Sequence, residues 1–249
     1  MEIIVNKPTF CKSKPIQSSS LSDSEKIFYR AYAVIYCQEI KEGGHNHWAV
    51  RMLSSKGWWF FYKPHVEVDW GKLITYKHFC DCLPYARNTD LDLYFKPFNR
   101  TLNEFKINSL PRISAFIAQL AHESGSLRYK EELASGAAYE GRKDLGNIYR
   151  GDGRRYKGRG LIQLTGRHNY NWASKQLGVD LVNHPKLATN PELSCRIAGL
   201  YWQSRNLNKY ADYHTERGFR IITRRINGGY NGWHDRLRHW KKAKKALAC

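Results

Sequence analysis

Glu123 closes a helix-patterned stretch, residues 109–125, and a Gly-rich segment, residues 156–165, follows it. At roughly 100° per residue, Glu123 falls within about 60° of Phe116 and Leu120 on the apolar side of that helix. Burial of this kind raises a carboxyl pKa and lets the group keep a proton near neutral pH, which is what a general acid requires. An acid of this type works with a second carboxylate. Glu131, Glu132, Glu140 and Asp144 all lie in the polar, Gly-containing stretch between the two segments, and spacing leaves the choice among them open. Competing chemistries fare worse. His122-Glu123 begins a zinc-protease pattern, but position 126 is Ser rather than His. Cys80 and Cys82 form a C-x-C with no second pair, and no Ser or Cys sits in a nucleophile elbow. Neither a metal nor a cofactor is expected.

The helix carrying Glu123 is read from Ile113, Phe116, Ile117 and Leu120, with Ser109 as N-cap, Pro111 in the first turn and Gly125 as the stop. Helical patterns or caps also mark residues 90–105, 169–177, 190–207, 215–226 and 233–247, with Asn190, Pro191 and Glu192 opening the third of these. The first 70 residues differ. Residues 47–53 and 58–62 read as strands of a hairpin around the turn Ser54-Ser55-Lys56-Gly57, with a further short strand at 66–68. The expected organisation is a small all-β module over residues 1–70 and a mainly α domain over residues 71–249. Trp58 and Trp59 are adjacent and so point to opposite faces of a strand, which leaves one of them exposed as a candidate stacking surface.

The formal net charge of +19 is unevenly distributed: residues 1–70 carry 9 basic and 7 acidic side chains, the remainder 32 and 15, giving +2 and +17. Such a field attracts nucleic acid, an anionic membrane or an acidic cell wall. A nucleic-acid binder is disfavoured because no reading motif accompanies the charge. The segment 233–247 concentrates Arg236, Arg238, Lys241, Lys242, Lys244 and Lys245. It reads as a solvated face or as a site for an anionic outer-membrane or phospholipid surface. No apolar run approaches the roughly 18 residues of a membrane span, and no signal peptide is evident. The expectation is a monomer made in the cytoplasm, its six cysteines reduced, which stays there or leaves by a route other than a signal peptide.

The blocks AFIAQLAHESGSLRYKEEL, YEGRKDLGN, GDGRRYKGRGLIQLTGRHNY, RIAGLYW and ITRRINGGYNGWHDR resemble, in order, the catalytic domain of family 19 glycoside hydrolases, specifically its compact lysozyme or phage-endolysin branch. The resemblance implies a lysozyme-like α-helical domain with a small β element in the cleft, preceded here by an SH3-like wall-binding module. It implies Glu123 as general acid, Glu132 as general base with Glu131 one residue away, Thr165 as holder of the attacking water, and Gln163 as a sugar contact on a cleft strand. His122, Tyr156, Asn169, Asn227 and Arg236 complete the candidate substrate-binding set; Arg236 could instead pair with a catalytic carboxylate. The short insert between the two glutamates, compared with plant-type chitinases, implies an open cleft that tolerates peptide stems. The expected activity is therefore inverting hydrolysis of peptidoglycan between N-acetylmuramic acid and N-acetylglucosamine, with chitin hydrolysis as the alternative.

Overall fold

The computed structural model describes residues 2–69 and 73–248. The boundary expected after Trp70, and Cys249, lie outside the described residues. The chain divides into two compact units, Met1–Lys72 and Leu73–Cys249.

The first unit holds seven strands, β1 (Glu2–Val5), β2 (Thr9–Lys12), β3 (Lys26–Tyr29), β4 (Val34–Glu42), β5 (His47–Met52), β6 (Trp59–Tyr62) and β7 (Val66–Asp69), in one antiparallel sheet of order β3-β2-β6-β5-β4-β1-β7. The hairpin read from the sequence is β5–β6, with Val50 opposite Trp59 and His47 opposite Tyr62, and Gly57 supplies the left-handed residue of its turn at φ +84°. Alternation sends Ile3, Val5, Ile35, Cys37, Val50, Met52 and Phe61 into one core. The sheet is thus larger than the hairpin and single further strand read from the sequence. Of the paired tryptophans, both half-buried, Trp58 lies under Lys41, whose Nζ is 3.7 Å from the ring centroid, and under Arg51, while Trp59 packs against the core.

The second unit is built from α1 (Tyr76–Cys82), α2 (Asn88–Glu104), α3 (Leu110–Glu123), α4 (Asp152–Arg155), α5 (Arg167–Leu177), α6 (Pro191–Ser204), α7 (Leu207–Ala211), α8 (Glu216–Asn227) and α9 (Trp233–Leu247). Helix α3 is central. Every residue from Ile113 to Ala121 is buried, polar Ser114 and Gln119 included, so it is covered on all sides rather than along one stripe. Phe116 packs between Phe98 of α2 and Trp202 of α6, with ring centroids at 5.6 and 5.3 Å. Helices α2 and α6 approach closely at Gly199, where a Cβ would stand 2.3 Å from the Phe105 ring. Asn190 caps α6 through its side chain, accepting from Glu192 N and Leu193 N. Ser109 takes the N-cap position of α3, but its buried hydroxyl makes no cap bond. Helix α9 turns Arg236, His239, Trp240 and Ala243 inward, while Arg238, Lys241 and Lys245 stay exposed. The β element expected in the cleft reduces, among the described residues, to two isolated bridges, Glu131 to Arg159 and Arg159 to Leu164.

No helix among the described residues is long and apolar enough to cross a membrane. No cluster of His, Cys, Asp or Glu suited to a metal ion occurs among them. Burial pushes the thiols of Cys11 and Cys82 up to about 12, so both stay protonated and inert.

Candidate active site

Glu123 is the last residue of α3, and the chain reverses immediately after it. Gly125, Ser126 and Leu127 all adopt left-handed φ values of +57°, +57° and +68°, a conformation that costs about 1–2 kcal/mol for each non-glycine residue. Buried Ser124 holds the reversal, donating from Oγ to Leu120 O at 2.6 Å and accepting from Leu127 N at 2.9 Å. Only glycine fits at 125, since a Cβ there would stand 2.7 Å from the Tyr129 ring. Strain of this kind persists where surrounding structure over-determines it, and here it returns the chain toward the carboxylate it has just left.

The returning segment runs antiparallel to residues 158–160: Gly160 N donates to Lys130 O at 2.8 Å and Glu132 N to Gly158 O at 2.9 Å. Alternation along it separates the two adjacent glutamates. Glu131 turns to Arg159 at 3.1 Å and Lys157 at 3.3 Å and is neutralised by them. Glu132 faces the other way, its Oε2 accepting from Gly158 N at 3.0 Å and its Oε1 from Tyr139 Oη at 2.9 Å. Burial, aided by the Glu132 charge, raises the Tyr139 pKa, so its phenol keeps the proton it donates. At Gly158 a Cβ would fall 2.7 Å from Gln163 Oε1 and 3.3 Å from both Glu132 Oε2 and Thr165 Oγ1. Three side chains therefore converge on a spot where a methyl group would push them aside.

The tract 156–165 is a tight turn rather than a strand. Arg159 and Leu164 exchange both backbone hydrogen bonds, and Gln163 closes the turn at φ +53°. Thr165 Oγ1 donates to Gln163 O at 2.8 Å, which leaves the hydroxyl lone pairs available to accept. Asn169 Nδ2 braces the same turn through Thr165 O at 2.8 Å.

Behind Glu123 lies a buried cation. Arg236 is 1% exposed; its Nη2 donates to Glu123 Oε1 at 2.6 Å, its Nη1 to Gln119 Oε1 at 2.6 Å and its Nε to Asn231 O at 3.1 Å. Gln119 passes the link on to Thr223 Oγ1 at 2.9 Å. A full opposite charge therefore accompanies this carboxyl. Oε2 of Glu123 makes no hydrogen bond among the described residues and is left for the cleft, where the side chain is 19% exposed.

Glu123, Gln163, Thr165, Asn169 and Asn227 line one open cleft of about 800 Å³. Asn227 ends α8, and its Oδ1 is buried without a partner, a deficit that an N–H or O–H of a bound molecule would fill. Three expected substrate contacts, His122, Tyr156 and Arg236, are not among the residues that line it; nor is Glu132, which stands behind Tyr139 and Thr165 at Gly158. Tyr156 is wholly buried and donates to Val182 O at 3.1 Å, a core residue with a satisfied hydroxyl. Arg236 is the clamp on Glu123 rather than a surface contact. His122 points its Nδ1 at Asp235 Oδ2, 2.7 Å away, and lies so close to Gly232 that a Cβ there would be 2.1 Å from its ring. Burial opposes the charge on Asp235, yet the His122 hydrogen bond and the nearby His239 and Arg238 leave its pKa below the usual carboxylate range. Sequence reasoning missed Tyr139, Trp172, Tyr201 and Arg205, which also line the cleft. Their one sequence signal is aromatic and basic character close to the quoted blocks. Arg205 stacks 3.5 Å over the Tyr201 ring and brings positive charge to one wall.

Residues 106–236 match the family model described as "Chitinase class I". A glycosyl hydrolase family 19 domain-containing protein of Haemophilus influenzae is 32% identical over 157 residues, covering 51% of this chain and 75% of that protein. Endochitinase At2g43610 of Arabidopsis thaliana is 40% identical over 119 residues, 47% of this chain and 39% of its own length. The chain thus spans about two fifths of that plant relative. Chitinase C from Streptomyces griseus superposes on 73% of this chain and 96% of its own with a TM-score of 0.59 at 22% identity, which establishes a common fold.

Proposed function

Because this chain belongs to glycoside hydrolase family 19, we propose that its cleft hydrolyses β-1,4 bonds between N-acetylated hexosamines, as in chitin, with inversion at the anomeric carbon. One observation carries the mechanism: Glu123 offers a free Oε2 to the cleft, while Glu132, Thr165 and Gln163 converge around Gly158. Glu123 is the general acid that protonates the leaving oxygen, and the resulting carboxylate is stabilised by the Arg236 guanidinium. Glu132 is the general base. Gly158 N–H and Tyr139 O–H fix its two oxygens. Since the Thr165 hydroxyl hydrogen is committed to Gln163 O, a water between Thr165 and Glu132 donates one hydrogen to each. Its lone pair then faces the sugar. Inverting enzymes use carboxyl groups about 6.5 to 9.5 Å apart, with water between base and ring. Asn227 Oδ1 suits the acetamido N–H of such a substrate.

The relatives named as endochitinases and chitinase favour chitin-type oligomers over the peptidoglycan specificity expected from the sequence. A second reading, peptidoglycan cleavage, draws on two observations: the 32 basic against 15 acidic residues beyond position 70, and Arg205 on the cleft wall. Mass spectrometry of digests of N-acetylglucosamine oligomers and of purified peptidoglycan separates the two readings. Proton NMR of the first-formed anomer tests inversion. A Glu123→Gln variant that cuts either substrate at the wild-type rate would refute the assigned acid.

A further inference from the structure

We propose that the first unit carries a second ligand site, a pocket of about 660 Å³ lined by Lys12, His47 and Tyr62, which takes the carboxylate end of an N-acylated amino acid, as at a peptide C-terminus. The inference stands apart from the reading of the cleft, since all of its residues lie between Pro8 and His65.

Two polar groups on the pocket wall are left incomplete. His47 is 5% exposed, and its Nδ1 lies 2.7 Å from His45 O. A carbonyl only accepts, so Nδ1 holds the hydrogen and Nε2 of the neutral ring presents a lone pair. That Nε2 is buried and has no partner. Burial, and after it the Lys12 charge, hold the His47 pKa below its ordinary value, in keeping with the neutral ring. Lys12 is 7% exposed; its Nζ donates to Ile16 O at 2.5 Å, and no carboxylate pairs with it among the described residues. A buried ammonium without a counter-charge selects an anion, and a buried lone pair selects an N–H or O–H. The two demands fall on one pocket, which Lys12 and His47 both line.

A carboxylate with an acylated N–H on the neighbouring carbon meets both demands at once. A simple carboxylate such as acetate has no donor for His47. The remaining walls suit an acyl group and a side chain: Phe10 and Ile16 are apolar, and the Tyr62 ring sits 5.4 Å from His47 and 5.0 Å from His65. The volume lies within the range of about 300–1,000 Å³ usual for small-ligand sites.

The test is calorimetric titration of the full chain with N-acetyl-Ala-Ala, its C-terminal amide, acetate and inorganic phosphate, on wild type, Lys12→Met and His47→Phe. The free acid should bind, and the amide, acetate and phosphate should each bind at least about tenfold more weakly, the worth of a charge-assisted hydrogen bond. Lys12→Met should bring the free acid down to the level of the amide, and His47→Phe should weaken it comparably. No binding of the free acid, or equal binding of phosphate or amide, overturns the proposal. Should either variant fail to fold, the wild-type ¹⁵N spectrum of His47 decides. A ring that stays neutral with a hydrogen-bonded Nε2 on addition of the free acid supports the site, and conversion to imidazolium overturns it.

Discussion

Exchanging the two adjacent glutamates for glutamine, one at a time, separates catalysis from scaffolding, because the backbone sends their side chains in opposite directions. In Glu132→Gln the amide oxygen still accepts from Gly158 N–H, and the amide nitrogen donates to Tyr139 once the phenol rotates to accept. Two anchors survive with one charge lost, so the stability cost is about 1 kcal/mol. The amide cannot take a proton from water, and removal of a positioned base lowers kcat by about 10²–10⁴. Glu131→Gln does the reverse. It withdraws the counter-charge from Arg159 and Lys157, leaving the buried Arg159 guanidinium with Arg155 O and Tyr170 Oη. Because the Glu131 side chain is 37% exposed, screening limits the loss to about 1–2 kcal/mol. Its kcat should stay within about tenfold of wild type, since none of these partners is a reacting group. The assay is reducing-end release from N-acetylglucosamine oligomers, read beside the urea midpoint of each variant. A Glu131→Gln protein without activity beside an active Glu132→Gln protein would refute the assignment of the base.

Gly158→Ala places a methyl 2.7 Å from Gln163 Oε1 and 3.3 Å from Glu132 and Thr165; oligomer kinetics should show kcat reduced more than about tenfold, with circular dichroism unchanged. Arg236→Met strands Gln119 Oε1 and the Glu123 carboxylate, and chemical denaturation should register a loss of about 3–5 kcal/mol. Asp152, buried and paired with Arg167, has its pKa lowered first by that hydrogen bond. A lowered folded-state pKa gives stability that is fully present above the unfolded value near about 4 and is lost as pH falls through the folded value. Urea midpoints measured from pH 7 down to pH 3 should therefore decline less steeply in Asp152→Asn than in the wild type.

Much of what places the site is local, and local order is legible. The end of α3 at Glu123, the Asn190 cap and the β5–β6 hairpin follow from periodicity, cap chemistry and turn residues within a few positions of one another. Contacts that join distant segments are not local. Whether Arg236 touches substrate or a carboxylate is decided by the packing of α9 on α3, and the sequence left both roles open. Tyr156 is implied as a substrate contact by the resemblance, but as the residue that ends α4 it lies in the core. Which way Glu131 and Glu132 each point turns on a single-residue register, and pairing with Gly158 sets it.

The clamp on Glu123 also sets an order of events during synthesis. Glu123 and Arg236 are separated by 113 positions, so the acid, the turn around Gly158 and most of the cleft leave the ribosome before the guanidinium does. Until α9 is made, Gln119 Oε1 and Glu123 Oε1 lack the guanidinium from which both accept. The group that holds the end of α3 in place therefore arrives only with the last of the described helices.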